Sequence, residues 1–202
     1  MRERLPASER RAAVLDTACR VFARCSYRGA TTAEIAREAG VTEPILYRHF
    51  DSKQDLYLAC IDSAWARVRE AWQAAIEAED DPRAWIFAMG RAFFRLKEEK
   101  TGVAALWIEA LTEWGDEPEV RRFLRRHLRE VHEFVTGVVS RCQAAGAMLP
   151  ERDPRAEAWI FIAIGLLTGA AARLGGLPHG DLERIRVSRI TWLTGDASEP
   201  AI

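Results

Sequence analysis

The 202-residue chain has only four cysteines, and Cys19, Cys25, Cys60 and Cys142 form no C-x-x-C pair. That spacing reads as free thiols in a reducing cytoplasm, with a redox-sensing pair left open. All but Cys60 fall on apolar faces of predicted helices. The opening "MRERLPASERR" holds no apolar run, so no signal peptide is expected. The most apolar stretch, "AWIFIAIGLLTGAAA" (158–172), ends against Arg173 and is short for a membrane span. Burial within protein is expected there, and no membrane partner. Catalytic signatures are missing too: there is no G-x-S-x-G, P-loop, H-E-x-x-H or Gly-rich dinucleotide fingerprint. His127 and His132 stand five apart, off a shared helix face. No cofactor or metal is expected, and no enzyme, although an uncharacterised enzyme stays as the alternative. The net charge of −1 also argues against sequence-indifferent DNA packaging, which is mostly phosphate neutralisation.

What is present is helix. Apolar residues make up 49% of the chain and charged residues 29%, enough for a core beneath a solvated exterior. Helical periodicity runs almost throughout and no strand alternation persists, so the expected fold is all-α with about nine helices. Val14, Ala18, Val21, Phe22 and Cys25 form one stripe on a first helix from about Ser8 to Cys25, which "SYRGA" with Gly29 breaks. The second helix opens with "TTAE", where Thr31 and Glu34 have capping-box spacing. Gly40 supplies the positive φ that stops it. Thr42 or Glu43 caps a third helix, with Pro44 in its first turn. Ser52 and Asp55 start a fourth, running to about Glu79. Five more, 83–99, 103–114, 118–145, 154–174 and 181–194, are separated by Gly and Pro punctuation.

Residues 31–50 therefore make a helix-turn-helix. Small Ala36 and Ala39 allow close approach, and Ile35, Val41, Leu46 and Phe50 supply apolar contacts. Glu43, Pro44, Tyr47 and Arg48 are left on the exposed face of its second helix, which in such units enters the major groove of double-stranded DNA. Residues 1–56 carry ten basic against eight acidic residues and the remainder 19 against 22, a tilt that suits an N-terminal polyanion-binding unit.

The combination of "TT..EIA..AGV", "LYRHF" and "SK.DL" within "TTAEIAREAGVTEPILYRHFDSKQDL" resembles the TetR family of transcriptional regulators over about the first 56 residues. The resemblance implies an all-helical homodimer with a DNA-binding domain over 1–56 and a ligand-binding and dimerisation domain over 57–202. It further implies a repressor of pseudo-palindromic operators, released by a small-molecule effector that the sequence does not identify. Tyr47 and His49 match family positions that lean on the sugar-phosphate backbone. Thr32 and Thr42, at helix starts, can meet phosphate oxygens, and Lys53 is placed as a phosphate clamp. Arg2, Arg4, Arg10 and Arg11 can reach a flanking phosphate or the minor groove. Glu43 departs from the family pattern, since phosphate should repel an acid. Two accounts stay open: it favours the positive end of the third helix by roughly 0.3–1 kcal/mol, or it accepts from a cytosine amino group.

Beyond residue 56, aromatics recur. In 83–99, Trp85, Ala88, Met89, Ala92, Phe93 and Leu96 form one stripe and Ile86, Phe87, Gly90 and Phe94 a second face, so this helix should be enclosed on most sides. Trp65 and Trp72 stud the fourth helix, and Trp107, Leu111 and Trp114 the sixth. Trp65, Trp85, Met89, Phe93, Trp107 and Leu111 are the expected lining of an apolar effector pocket, with plain core packing the alternative for each. Arg91, Arg95, Glu109 and Glu113 orient a ligand or face solvent. In "RRFLRRHLREVHE" and just before it, Glu117–Arg121, Arg126–Glu130 and Arg129–Glu133 are four apart, as on a solvated, ion-paired face. Gly165 and Gly169 form a G-x-x-x-G, and the helices near 154–174 and 181–194 are assigned to a four-helix homodimer interface.

Overall fold

The computed structural model describes residues 7–98, 103–113, 117–172 and 174–195. Among them lie nine helices and no strand, in agreement with the all-α reading. They are α1 (Ala7–Gly29), α2 (Thr32–Glu38), α3 (Glu43–Tyr47), α4 (Lys53–Glu77), α5 (Trp85–Glu98), α6 (Val103–Glu113), α7 (Pro118–Ala144), α8 (Pro154–Ala172) and α9 (Asp181–Thr194). Arg2, Arg4, Trp114, Arg173 and the Glu113 side chain lie outside the described residues.

Local chemistry explains the boundaries, with two corrections. The break falls within "SYRGA" as expected, but at Ser26 and not at Gly29: Ser26 takes φ 63° and ψ 168°, a strained conformation. Its hydroxyl accepts the Gly29 N–H at 3.4 Å and its carbonyl accepts the Ala30 N–H at 3.0 Å. At α2 only half of the capping box forms. Thr31 accepts the Glu34 N–H at 3.1 Å, but the Glu34 carboxylate pairs with Arg24 of α1, also at 3.1 Å, and Arg24 holds Glu38 at 2.7 Å. At α4 the exchange is nearly complete. Ser52 accepts the Asp55 N–H at 3.0 Å, and the Asp55 carboxylate accepts the Asp51 N–H at 3.1 Å.

The chain packs as two compact units, neither of them continuous: Met1–Arg67 with Leu96–Arg121, and Val68–Arg95 with Arg122–Ile202. This packing division falls inside α4, and α6 packs with the N-terminal helices. In the first unit, Val14, Phe22, Ile35, Leu46, Phe50, Leu56, Ile61 and Leu106 are fully buried or nearly so. Phe22, Tyr27 and Tyr57 cluster with ring centroids 5.0–5.9 Å apart, and the Tyr57 hydroxyl donates to the Leu106 carbonyl at 3.1 Å. Glu109 of α6 does not face solvent. It is 2% exposed and accepts the Tyr27 backbone N–H, which satisfies part of a carboxylate otherwise costly to bury. Cys60, off the expected apolar faces, is fully buried, its thiol 3.9 Å from the Leu15 carbonyl.

In the second unit the Trp72 ring packs on Phe134 of α7 and Phe161 of α8, with centroids 5.8 and 5.5 Å away. His127 stacks on Phe123 and His132 on Trp159, while Arg126 and Glu130 pair at 3.8 Å. By length and composition α8 is apolar enough to cross a membrane, and 22% of its apolar window is buried within this single chain. Its G-x-x-x-G does not form the exposed side. Gly169 is buried, and a Cβ on Gly165 would stand 3.8 Å from the Phe93 ring of α5. Trp159, Ile160 and Leu167 face outward instead.

Candidate nucleic-acid interface

The turn after α2 sets the site. Gly40 adopts φ +68°, its N–H bonds the Arg37 carbonyl at 3.2 Å, and the Val41 N–H bonds the Ala36 carbonyl at 2.9 Å. This is the paired closure of a Schellman motif, which needs a left-handed residue at that point. The chain then re-enters helix at Glu43, and the missing N–H of Pro44 costs little in that first turn. Ile35, Ala36, Leu46 and Phe50 point into the core, which fixes the opposite edge of α2 and α3 outward.

That edge holds the residues expected to meet DNA. Thr42, Pro44, Tyr47 and Arg48 are exposed, and Thr32, Glu43, His49 and Lys53 are half-buried. Three of them are joined directly. The Tyr47 hydroxyl donates to Thr32 Oγ1 at 3.1 Å, and the Thr32 hydroxyl donates to the Glu43 carboxylate at 2.6 Å. Neither sequence-level account of Glu43 supplied that partner. Thr42 is the N-cap of α3 but makes no side-chain capping bond, so its hydroxyl is not spent on the helix end. The Lys53 ammonium lies 4.4 Å from the Tyr27 ring centroid. Burial lowers its pKa from the usual lysine value, with the Glu109 charge opposing. Arg11 sits 4.8 Å over the Phe50 ring, and the His49 N–H closes α3 on the Leu46 carbonyl at 3.0 Å. The edge thus presents hydroxyls and cations, groups suited to phosphate oxygens, around a short helix that can address base edges.

A second candidate site lies within the second unit. A cavity of about 690 Å³ is bounded by α5, α7, α8 and α9, with Phe87, Phe94, Phe161, Ile164, Ile185 and Leu193 among its walls. The second face of α5 (Ile86, Phe87, Gly90 and Phe94) lines it entirely. Of the expected lining, Trp85, Met89 and Phe93 belong to this unit but not to this cavity, and Trp65, Trp107 and Leu111 belong to the first unit. Trp85 instead donates its indole N–H to the Glu79 carbonyl at 3.0 Å, and Met89 is fully buried. The charges at the cavity are paired: Arg91 with Glu79 at 2.6 Å, Arg186 with Glu183, and Arg189 with Glu157, which also accepts the Trp192 indole N–H at 2.8 Å.

Two family models match successive stretches of the chain. The family model described as "Bacterial regulatory proteins, tetR family" matches residues 14–60, and that described as "BetI-type transcriptional repressor, C-terminal" matches residues 82–189. The chain is 32% identical over 139 residues to the HTH-type transcriptional regulator BetI of Rhizobium meliloti (strain 1021), a span of 68% of each protein. It is 33% identical over 138 residues to the HTH-type transcriptional activator FasR of Mycolicibacterium smegmatis, covering 68% of this chain and 62% of that protein. AibR, solved in complex with isovaleryl coenzyme A and operator DNA, shares the fold. The TM-score is 0.67 at 22% identity, over 92% of this chain and 98% of that one.

Proposed function

Because the chain belongs to the TetR family of transcriptional regulators, which are DNA-binding proteins and not enzymes, we propose that it is a cytoplasmic repressor that reads a pseudo-palindromic operator as a homodimer and is released by a small apolar or amphipathic effector. The observation that carries this reading is the outward edge of α2 and α3, where Thr32, Glu43 and Tyr47 are hydrogen-bonded in series and Thr42 and Arg48 stand exposed, beside a turn fixed by Gly40. The exposed Trp159, Ile160 and Leu167 of α8 and Trp192 of α9 support a two-fold contact between copies. Two linked half-site contacts bind more tightly than one, which is how a dimer turns modest contacts into operator affinity.

The cavity of the second unit supports the effector. Its volume suits a small molecule, and its walls are apolar with a few polar groups at fixed points. Helix α4 begins in the unit that holds α2 and α3 and ends in the unit that holds the cavity, which supports a role as the lever between the two ligands. An effector that binds one arrangement of α4 better than another lowers DNA affinity by its differential affinity alone. The test is selection of bound sequences from random duplex DNA by purified protein, repeated with a panel of apolar and amphipathic small molecules. A two-fold-related consensus lost on addition of one compound is expected. Enrichment of nothing contradicts DNA recognition, and a consensus no compound disturbs contradicts the sensing role.

A further inference from the structure

We infer that Glu43 is an internal stand-in for a DNA phosphate: its carboxylate occupies the Thr32 hydroxyl in the free protein, any duplex must displace it, and only a sequence offering the released carboxylate a donor makes up the loss. The inference rests on the DNA-facing role of α2 and α3 proposed above.

A threonine hydroxyl has one proton to give. Thr32 gives it to Glu43 at 2.6 Å, the short range of bonds to an ionised acceptor. Tyr47 gives its own proton to Thr32 at 3.1 Å. The protons with which these two residues would hold a backbone phosphate are therefore committed in series, Tyr47 to Thr32 and Thr32 to an anion. A phosphate oxygen is an acceptor of the same kind as a carboxylate oxygen, so it can take the place of Glu43 while Tyr47 keeps its bond to Thr32. The exchange turns Glu43 away from its donor at the first turn of α3, the helix placed to enter the groove. There a cytosine or adenine amino group satisfies it, whereas a guanine or thymine acceptor leaves it unpaired. Glu43 thus acts on phosphate contact as a positioning residue, through Thr32, and on sequence by penalising wrong duplexes more than by favouring the right one.

The experiment uses the full chain with two probes: a duplex enriched from a random pool by wild-type protein, and a random-sequence duplex. Wild type, E43Q, E43A, T32V and the T32V/E43A double variant are titrated at low and high salt, each first checked for cooperative unfolding. E43A is expected to bind the random duplex on the order of tenfold more tightly, about the worth of one charged hydrogen bond, without a matching gain on the enriched duplex. E43Q, which keeps the shape and loses the charge, should fall between and guards against loss of fold. Simple repulsion of phosphate by an acid would give the same gain with or without the Thr32 hydroxyl, and would fade at high salt. A stand-in gives a gain that shrinks in the T32V background, and a coupling between the two positions that survives high salt. Additive effects that vanish with salt overturn the inference, as does an unchanged ratio between the two probes. If wild-type protein binds no duplex, the DNA-facing reading has failed and this inference falls with it.

Discussion

Replacing Gly40 with alanine isolates what the turn between α2 and α3 requires. Gly40 sits at φ +68°, and a Cβ added there meets no atom within 4 Å, so the substitution creates no clash with a neighbour. Its cost is confined to the backbone. Placing an L-residue in the left-handed region costs roughly 1–2 kcal/mol, while the stiffer unfolded chain returns about 0.4–1 kcal/mol. The expected net loss is therefore about 1 kcal/mol. Asparagine visits the same region more readily, so G40N should lose less than half as much. Equilibrium denaturant unfolding followed by circular dichroism measures both. G40A should lower the midpoint with an unchanged slope, and G40N should lie between it and wild type. If G40A is as stable as wild type, or if both variants lose the same amount, then the handedness of this residue is not what holds the turn.

Further outcomes follow from single contacts. Y57F removes the hydroxyl that donates to the Leu106 carbonyl in the core of the first unit, and should cost about 1–2 kcal/mol in unfolding free energy; no loss would mean the bond between α4 and α6 contributes nothing. The Asp16 carboxyl is held below its usual pKa of 3.8, chiefly by its hydrogen bond from Arg67, with Arg20 adding to the effect. A depressed folded-state value stabilises the fold above the unfolded value and loses that contribution as pH falls through the folded one. D16N should therefore cost under about 1 kcal/mol at pH 7, because the side chain is partly screened by solvent, and its deficit should close below 3.8; a deficit independent of pH contradicts the assignment. L167E puts a charge on an exposed apolar face of α8 and should leave the folded monomer intact while weakening self-association in sedimentation, whereas an unaltered dimer would place the interface elsewhere.

Much of this was legible in the sequence because it depends on neighbours. The starts of α2 and α4 follow from side chains three residues apart, and the stop at Gly40 and the admission of Pro44 into α3 from the backbone properties of a single residue. What could not be read depends on how distant segments meet. Thr32 and Glu43 are eleven residues apart, and only the completed turn brings the starts of α2 and α3 within one hydrogen bond. Arg24 lies ten and fourteen residues from the two carboxylates it holds, beyond any spacing rule for a single helix. The two faces of α5 were distinguished correctly by period, but period cannot say which face meets a cavity, and it is the second that does. Glycines four apart likewise signal close approach without naming the partner, which for Gly165 is Phe93 of the same chain. Glu109 was misread for a related reason: a carboxylate on an exposed-looking position of α6 is buried by the end of α1, a contact between segments more than eighty residues apart.

The most direct measurement is amide hydrogen exchange of the full chain, free and saturated with its selected duplex. Recognition by the edge of α2 and α3 predicts that slowed exchange concentrates between residues 31 and 53, with the Gly40 turn and the first turn of α3 among the most affected. Unchanged exchange there, with protection appearing instead along the basic run of α7 at residues 121–133, would contradict it.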